Sequence, residues 1–149
     1  MSSTIRVRAA IVVIQDGKIL LVPHYNTNES PISWHLPGGG VEFGEAVQEA
    51  AIREFREETG LYVRIESLLD INEVIQPERP YHSVTTIFSG SIIGGTLTAE
   101  SGHSYMRYGD KMPRWFSWEE LQVVKYLPEK IIATAFTNGR PQSPPLRGA

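Results

Sequence analysis

The chain has no cysteine in its 149 residues. That excludes disulfides and thiolate metal sites, so any metal must be held by oxygen or imidazole. The absence also fits a reducing compartment. An excess of basic residues is missing as well. Lysine and arginine total 14 against 17 aspartates and glutamates, for a formal charge of -3. A protein that tracks along nucleic acid carries the opposite bias, so no stable nucleic-acid binding is expected. Long apolar runs are lacking too. The longest, around Ala9 to Ile14, is far short of the roughly 20 residues that span a bilayer. Met1 to Arg8 lacks the apolar core of a signal peptide. The expectation is a cytoplasmic protein with no membrane association.

What is present is ordinary for a globular domain: 41% hydrophobic and 21% charged residues. A chain of this length buries about two thirds of its unfolded surface, which is enough for a core without staples. Arg6 to Ile14 is rich in β-branched residues and reads as a buried strand. Asp16-Gly17 is a hairpin turn signal, and Lys18 to Val22 is the returning strand. Pro23 to Pro31 is polar and turn-rich, so it is read as a loop. Ile32 to Leu36 predicts a short strand ended by Pro37-Gly38-Gly39-Gly40. Glu45 to Thr59 is the first strong helix signal, stopped by Gly60. Strands are expected over Leu61 to Ile71, Ser83 to Gly90 and Ser91 to Leu97, with Gln76 to Tyr81 and Thr98 to Pro113 as loops. Arg114 to Phe116 predicts another strand. Ser117 with Glu120 forms a capping box for a short helix reaching about Lys125. Pro128 suits the first turn of a last helix ending near Asn138. The pattern predicts one domain over residues 1–138, a mixed sheet with helices on its faces, and a disordered tail over 139–149.

The helix from Glu45 to Thr59 has an unusual charge pattern. At about 100° per residue, Val47, Ala51 and Phe55 form an apolar stripe. Glu54 and Glu58 project on the same side, and Glu57 lies beside them next to Ala50. Arg53, Arg56, Glu45 and Glu49 fall on the opposite, solvent-facing arc or its margins. Like charges four residues apart repel on a free helix, and partial burial makes that worse. A divalent cation would compensate, since hard cations such as Mg²⁺ take oxygen ligands together with water and phosphate oxygens. An ordinary solvated acidic face is the plainer reading of a generic run of glutamates, but here the acids lie on the apolar side and a glycine-rich turn precedes them.

Gly39, Glu45, Arg53, Glu54, Phe55, Glu57, Glu58, Gly60 and Leu61 stand at spacings that resemble the Nudix box of the Nudix hydrolases. Phe55 fills a position usually held by an aliphatic residue. The likeness extends to the hairpin before the box, the Leu36-Pro37-Gly38-Gly39-Gly40 lead-in and Trp115-Phe116-Ser117 before a late helix. It implies an α/β fold, a Nudix-type α/β/α sandwich with a mixed central β-sheet. It also implies hydrolysis of a diphosphate linkage in a nucleoside diphosphate derivative, with one or more Mg²⁺ or Mn²⁺ ions. By the same resemblance, Glu57, Glu58 and the Gly38 carbonyl would be metal ligands. Glu54 would be a further ligand or the base that activates water, and Arg53, helped by Glu45, would orient the glutamates. Many relatives dimerise, which leaves a homodimer open, although no long N-terminal dimerisation segment is present.

Residues outside the box are weaker candidates. Glu100 and Asp110 fall in the late loop, where some relatives keep an acidic ligand or base, but each reads more simply as a loop carboxylate. Trp34 could stack a base or pack in a strand. His82 could face the substrate groove or sit at a strand end. His24 and Tyr25 could line the site mouth. Arg6 and Arg8 could meet phosphate, but solvated strand ends are the plainer reading. The substrate is expected to be a small nucleotide, either ADP-ribose or a similar sugar nucleotide, or a nucleoside triphosphate. Pro77, sixteen residues past Leu61, resembles the spacing in ADP-ribose hydrolases without deciding between them. A non-catalytic Nudix domain that senses a nucleotide is the alternative. Such domains usually lose box glutamates, and this chain keeps all three.

Overall fold

The computed structural model describes residues 4–25, 31, 33–99 and 112–138. The first strand, β1 (Arg6–Val12), is buried from Ala9 onward. β2 (Ile14–Gln15) and β3 (Lys18–His24) form the expected hairpin. Its turn puts Asp16 at φ 54° and Gly17 at φ 76°, the left-handed pair that a two-residue hairpin loop demands. β4 (Ser33–His35) pairs antiparallel with β3. The glycines of β5 (Gly38–Gly40) pair antiparallel with β1. Helix α1 (Val47–Thr59) follows, then β6 (Leu61–Gln76) and β7 (Tyr81–Gly95) as a long antiparallel hairpin. β8 (Arg114–Ser117), α2 (Trp118–Leu121), β9 (Tyr126–Leu127) and α3 (Glu129–Asn138) complete the described chain.

Two sheets result. One has the order β5-β1-β7-β6 and is mixed, because β1 runs parallel to β7 while the other pairs are antiparallel. The other runs β2-β3-β4-β9, with β8 added on β3. Side chains alternate across β1, so its two faces feed two cores. Ala9, Ile11 and Val13 pack with Ala50, Ala51 and Phe55 of α1 and with Val63 and Phe88. Ala10 and Val12 pack with Ile19, Leu21, Trp34, Phe116, Leu121, Ile132 and Phe136. Helices therefore lie on both sides of the strands, as the resemblance implies. Burying Phe55 completely stabilises the α1 layer by about 1.5–3 kcal/mol.

Several elements differ from expectation. α1 begins at Val47, not Glu45, and Glu45 instead accepts a hydrogen bond from the Glu42 N–H at 3.0 Å. Ser83 to Leu97 does not divide into two strands. Gly90 keeps β7 continuous, because a Cβ there would strike the Arg64 carbonyl and the Val63 side chain of β6. Three register shifts between β6 and β7 absorb the mismatch between the two long strands. Pro37 to Gly40 does more than end a strand, since the glycines form β5. The Ser117 capping box is present, with Ser117 Oγ accepting from Glu120 N–H at 3.1 Å and Glu120 Oε1 from Ser117 N–H at 2.8 Å. The helix it starts stops at Leu121, well before Lys125. The tail over 139–149 lies outside the described residues. No helix among the described residues is long and apolar enough to cross a membrane.

Candidate active site

The site is built where α1 lies against β5. Ile11 N–H donates to the Pro37 carbonyl and Val41 N–H to the Val7 carbonyl. Gly39 pairs with Ala9 between them, so Gly38 and Gly40 turn their backbone groups away from β1. Both are used by α1. Gly38 N–H donates to Glu58 Oε1 at 2.9 Å, and the Gly40 carbonyl accepts from Arg53 Nη2 at 3.0 Å. The Gly38 carbonyl lies on the same edge as its N–H. A Cβ on Gly39 would fall on the Glu54 carboxyl. At Gly38 a Cβ would instead strike Ala9 and Ala10 of β1, and at Gly40 it would meet nothing.

Arg53 organises the cluster. Its Nε donates to Glu45 Oε2 at 2.7 Å and its Nη2 to Glu45 Oε1 at 3.0 Å. Its Nη1 lies 3.2 Å from Glu54 Oε2 and 3.3 Å from Glu57 Oε1. Its side chain is only 26% exposed, which corrects its placement on a solvent-facing arc. The helical wheel gives the direction of the Cα–Cβ bond, but the long stem folds back along α1 to reach β5. Arg53 and the Glu42 N–H hold the Glu45 carboxyl down to about 2. Glu54 is pushed the other way. Burial raises its carboxyl above the ordinary value and neighbouring Glu57 adds to this, while Arg53 and, more weakly, Arg8 pull it down. One guanidinium facing Glu45, Glu54 and Glu57, with Glu58 alongside, leaves the cluster with excess negative charge. Among the described residues, no three Asp, Glu or His side chains converge into a ready-made metal cage.

The other face of the mixed sheet opens into a cavity of about 790 Å³ between the two sheets, lined by Arg8, His24, His35, Asn72, Tyr81 and Lys130 among others. Pairing sets out one row across it, Gly40–Arg8–Thr85–Asn72. Arg8 therefore borders both the cavity and β5, the strand against which the α1 carboxylates pack. Its Nε is buried without a hydrogen-bond partner among the described residues, a cost of about 1–3 kcal/mol. His35 shares a 2.7 Å hydrogen bond with Ser33 Oγ. Burial, then the charges of His24, Arg8 and Lys125, lowers its imidazole to about 4, so it is neutral at pH 7.

Glu54, Glu57, Glu58, Arg53 and Gly38 are brought together as the sequence implies. Trp34 is a correction. It is 6% exposed, edge to face on Phe116 with ring centroids 4.8 Å apart, so its ring belongs to the core and not to a base-stacking surface. His82 is a second correction. Strand alternation sends Tyr81 and Ser83 into the cavity and His82 to the opposite face, where its Nε2 lies 2.8 Å from Glu73 Oε2. Glu100 and Asp110 lie outside the described residues. Of the weaker candidates, His24 and Arg8 do line the cavity. His35 was missed, because nothing in its local sequence distinguishes it from a strand histidine.

Comparisons with known proteins agree with this geometry. The family model of the NUDIX domain matches residues 4–135. The chain is 36% identical over 123 residues to an ADP-ribose pyrophosphatase of Methanocaldococcus jannaschii, covering 81% of this chain and 67% of that one. It is 29% identical over 128 residues to an RNA pyrophosphohydrolase of Brucella anthropi, covering 78% and 71% of the two chains. Among solved structures, a NUDIX hydrolase from Nitrosomonas europaea superimposes with a TM-score of 0.74 at 25% identity, over 92% of each chain. The box residues clustered between α1 and β5 are therefore those of a known enzyme family, and the chain belongs to the Nudix hydrolases, enzymes that hydrolyse phosphorus-containing anhydrides.

Proposed function

We propose that the Glu54–Glu57–Glu58 cluster and the Gly38 carbonyl hold Mg²⁺ or Mn²⁺ against the diphosphate of a nucleotide whose nucleoside occupies the cavity between the sheets. The observation that carries this reading is the excess of carboxylates gathered at the glycine backbone, with Glu58 on the Gly38 N–H, Glu54 against Gly39, and Glu54 and the more exposed Glu57 both tied to Arg53. The donor set is all oxygen, which suits a hard cation. Mg²⁺ is typically held by one or two carboxylates with waters and substrate phosphates filling the remaining positions. When bound, such an ion neutralises the diphosphate and acidifies water.

The chain's own residues supply the rest. Arg53 fixes the positions of Glu54 and Glu57. Glu54 takes the proton from the attacking water, the water oxygen bonds to one phosphorus, and the bridging P–O bond breaks to give two phosphate products. A cavity of about 790 Å³ lies within the ~300–1,000 Å³ of small-ligand sites. ADP-ribose or a related sugar nucleotide is the favoured substrate, because the relative aligned over 81% of the chain is named for it.

A screen of ADP-ribose, other sugar nucleotides and nucleoside triphosphates with Mg²⁺ and Mn²⁺ tests this. The expected outcome is metal-dependent cleavage with ADP-ribose among the best substrates, and a fall in kcat of about 10²–10⁴-fold in Glu54→Gln. Exclusive cleavage of triphosphates would replace the substrate assignment. Nucleotide binding with no turnover on any compound would favour the sensor reading.

A further inference from the structure

We infer that Arg8 grips the phosphate on the nucleoside side of the substrate and so ties the cavity to the carboxylate cluster. The inference rests on the nucleotide reading of the cavity and adds to it a residue outside the box.

Three observations carry it. First, position: Arg8 pairs with Gly40 on one side and Thr85 on the other. It lines the cavity, and its neighbour Gly40 holds Arg53 through its carbonyl. A diphosphate running from the cavity to Glu54 and Glu57 has to pass this strand. Second, an open valence: Arg8 Nε is buried and lacks an acceptor among the described residues. The Glu54 carboxylate, which its charge reaches, is already bonded to Arg53. A buried donor without an acceptor in a native site calls for an explanation, and a ligand supplies one. Third, chemistry: guanidinium offers Nε–H and Nη–H as a planar fork that matches two phosphate oxygens, which an ammonium cannot do. The other cations lining the cavity, Arg79 and Lys130, lie on the β6–β7 turn and on α3, away from the row that reaches β5.

The test is equilibrium binding by calorimetry in EDTA, so that neither metal nor turnover enters. ADP, GDP, CDP and UDP, each beside its nucleoside, are titrated into the full chain and into Arg8→Gln and Arg8→Lys. The tightest diphosphate should lose about tenfold or more in affinity in Arg8→Gln, while its nucleoside changes by less than about twofold. Arg8→Lys should recover only part of the loss. Thermal melting of Arg8→Gln should stay close to the parent's, since Arg8 Nε makes no hydrogen bond among the described residues for the substitution to break. Should Arg8→Gln fail to fold, Arg8→Lys carries the test alone, with the diphosphate weakened and the nucleoside not. Equal weakening of diphosphate and nucleoside, unchanged binding of both, or no binding of any of the four diphosphates overturns the inference. A protein that binds as expected but hydrolyses nothing would leave Arg8 in place and remove only the catalytic reading.

Discussion

Arg53 donates to Glu45, Glu54, Glu57 and the Gly40 carbonyl from one side chain. Its attachment to Glu45 has a consequence that pH exposes. The Glu45 carboxyl sits at about 2 in the fold against an ordinary value of 4.5. A lowered acid contributes stability that is fully present above its unfolded value and is lost as pH falls through its folded one. The melting temperatures of the parent and Glu45→Gln should therefore differ at pH 7 and converge as pH falls from about 5 toward 2. A gap independent of pH would mean that Glu45 acts through packing and not through charge. Arg53 itself was only half legible in the sequence. Its box position implied an orienting role, but a helical wheel placed it toward solvent, and only the reach of its side chain reverses that. Arg8 was less legible still, because a strand-end arginine looks the same whether its guanidinium faces solvent or a cavity.

At the scale of elements, α1 was the most legible part of the chain. Its apolar stripe of Val47, Ala51 and Phe55 predicts the packed face, and Gly60 predicts the end: it adopts φ 78° with its N–H donating to the Arg56 carbonyl at 2.9 Å. β5 was not legible. Three consecutive glycines have poor strand propensity, and they pair because β1 supplies a partner. The parity of β7 was equally hidden, so His82 was considered for the groove that Tyr81 and Ser83 enter. Two glycines should respond differently to alanine. At Gly60 a Cβ would meet the Thr96 carbonyl and the Thr98 hydroxyl at positive φ. Gly60→Ala should then cost stability by about 1–3 kcal/mol, read in urea melts. At Gly39 the Cβ would strike the Glu54 carboxyl, the end of a flexible side chain, so Gly39→Ala should lose activity far more than stability. Equal losses at both sites would deny Gly39 its role in seating Glu54.

For the whole molecule, the two sheets place a carboxylate cluster on one side of β1 and a cavity on the other, with Arg8 in the row between. The fold class was legible from the order of elements, because alternating strand and helix patterns leave few ways to bury every apolar face. The division into two sheets was not, since it depends on which strands find each other across long separations. The family was legible from one motif. The substrate was not, because the cavity is lined by residues of β1, β3, β4, β6, β7 and α3 that all lie outside the box. The catalytic reading of this assembly depends on box glutamates that hold a metal on a diphosphate. The most direct test is kcat of Glu57→Gln on whichever nucleotide the parent cleaves fastest with Mg²⁺. A metal ligand should cost more than the ~10–100-fold lost with an outer-shell partner, with the melting temperature kept. Turnover equal to the parent's would contradict the metal assignment and the mechanism built on it.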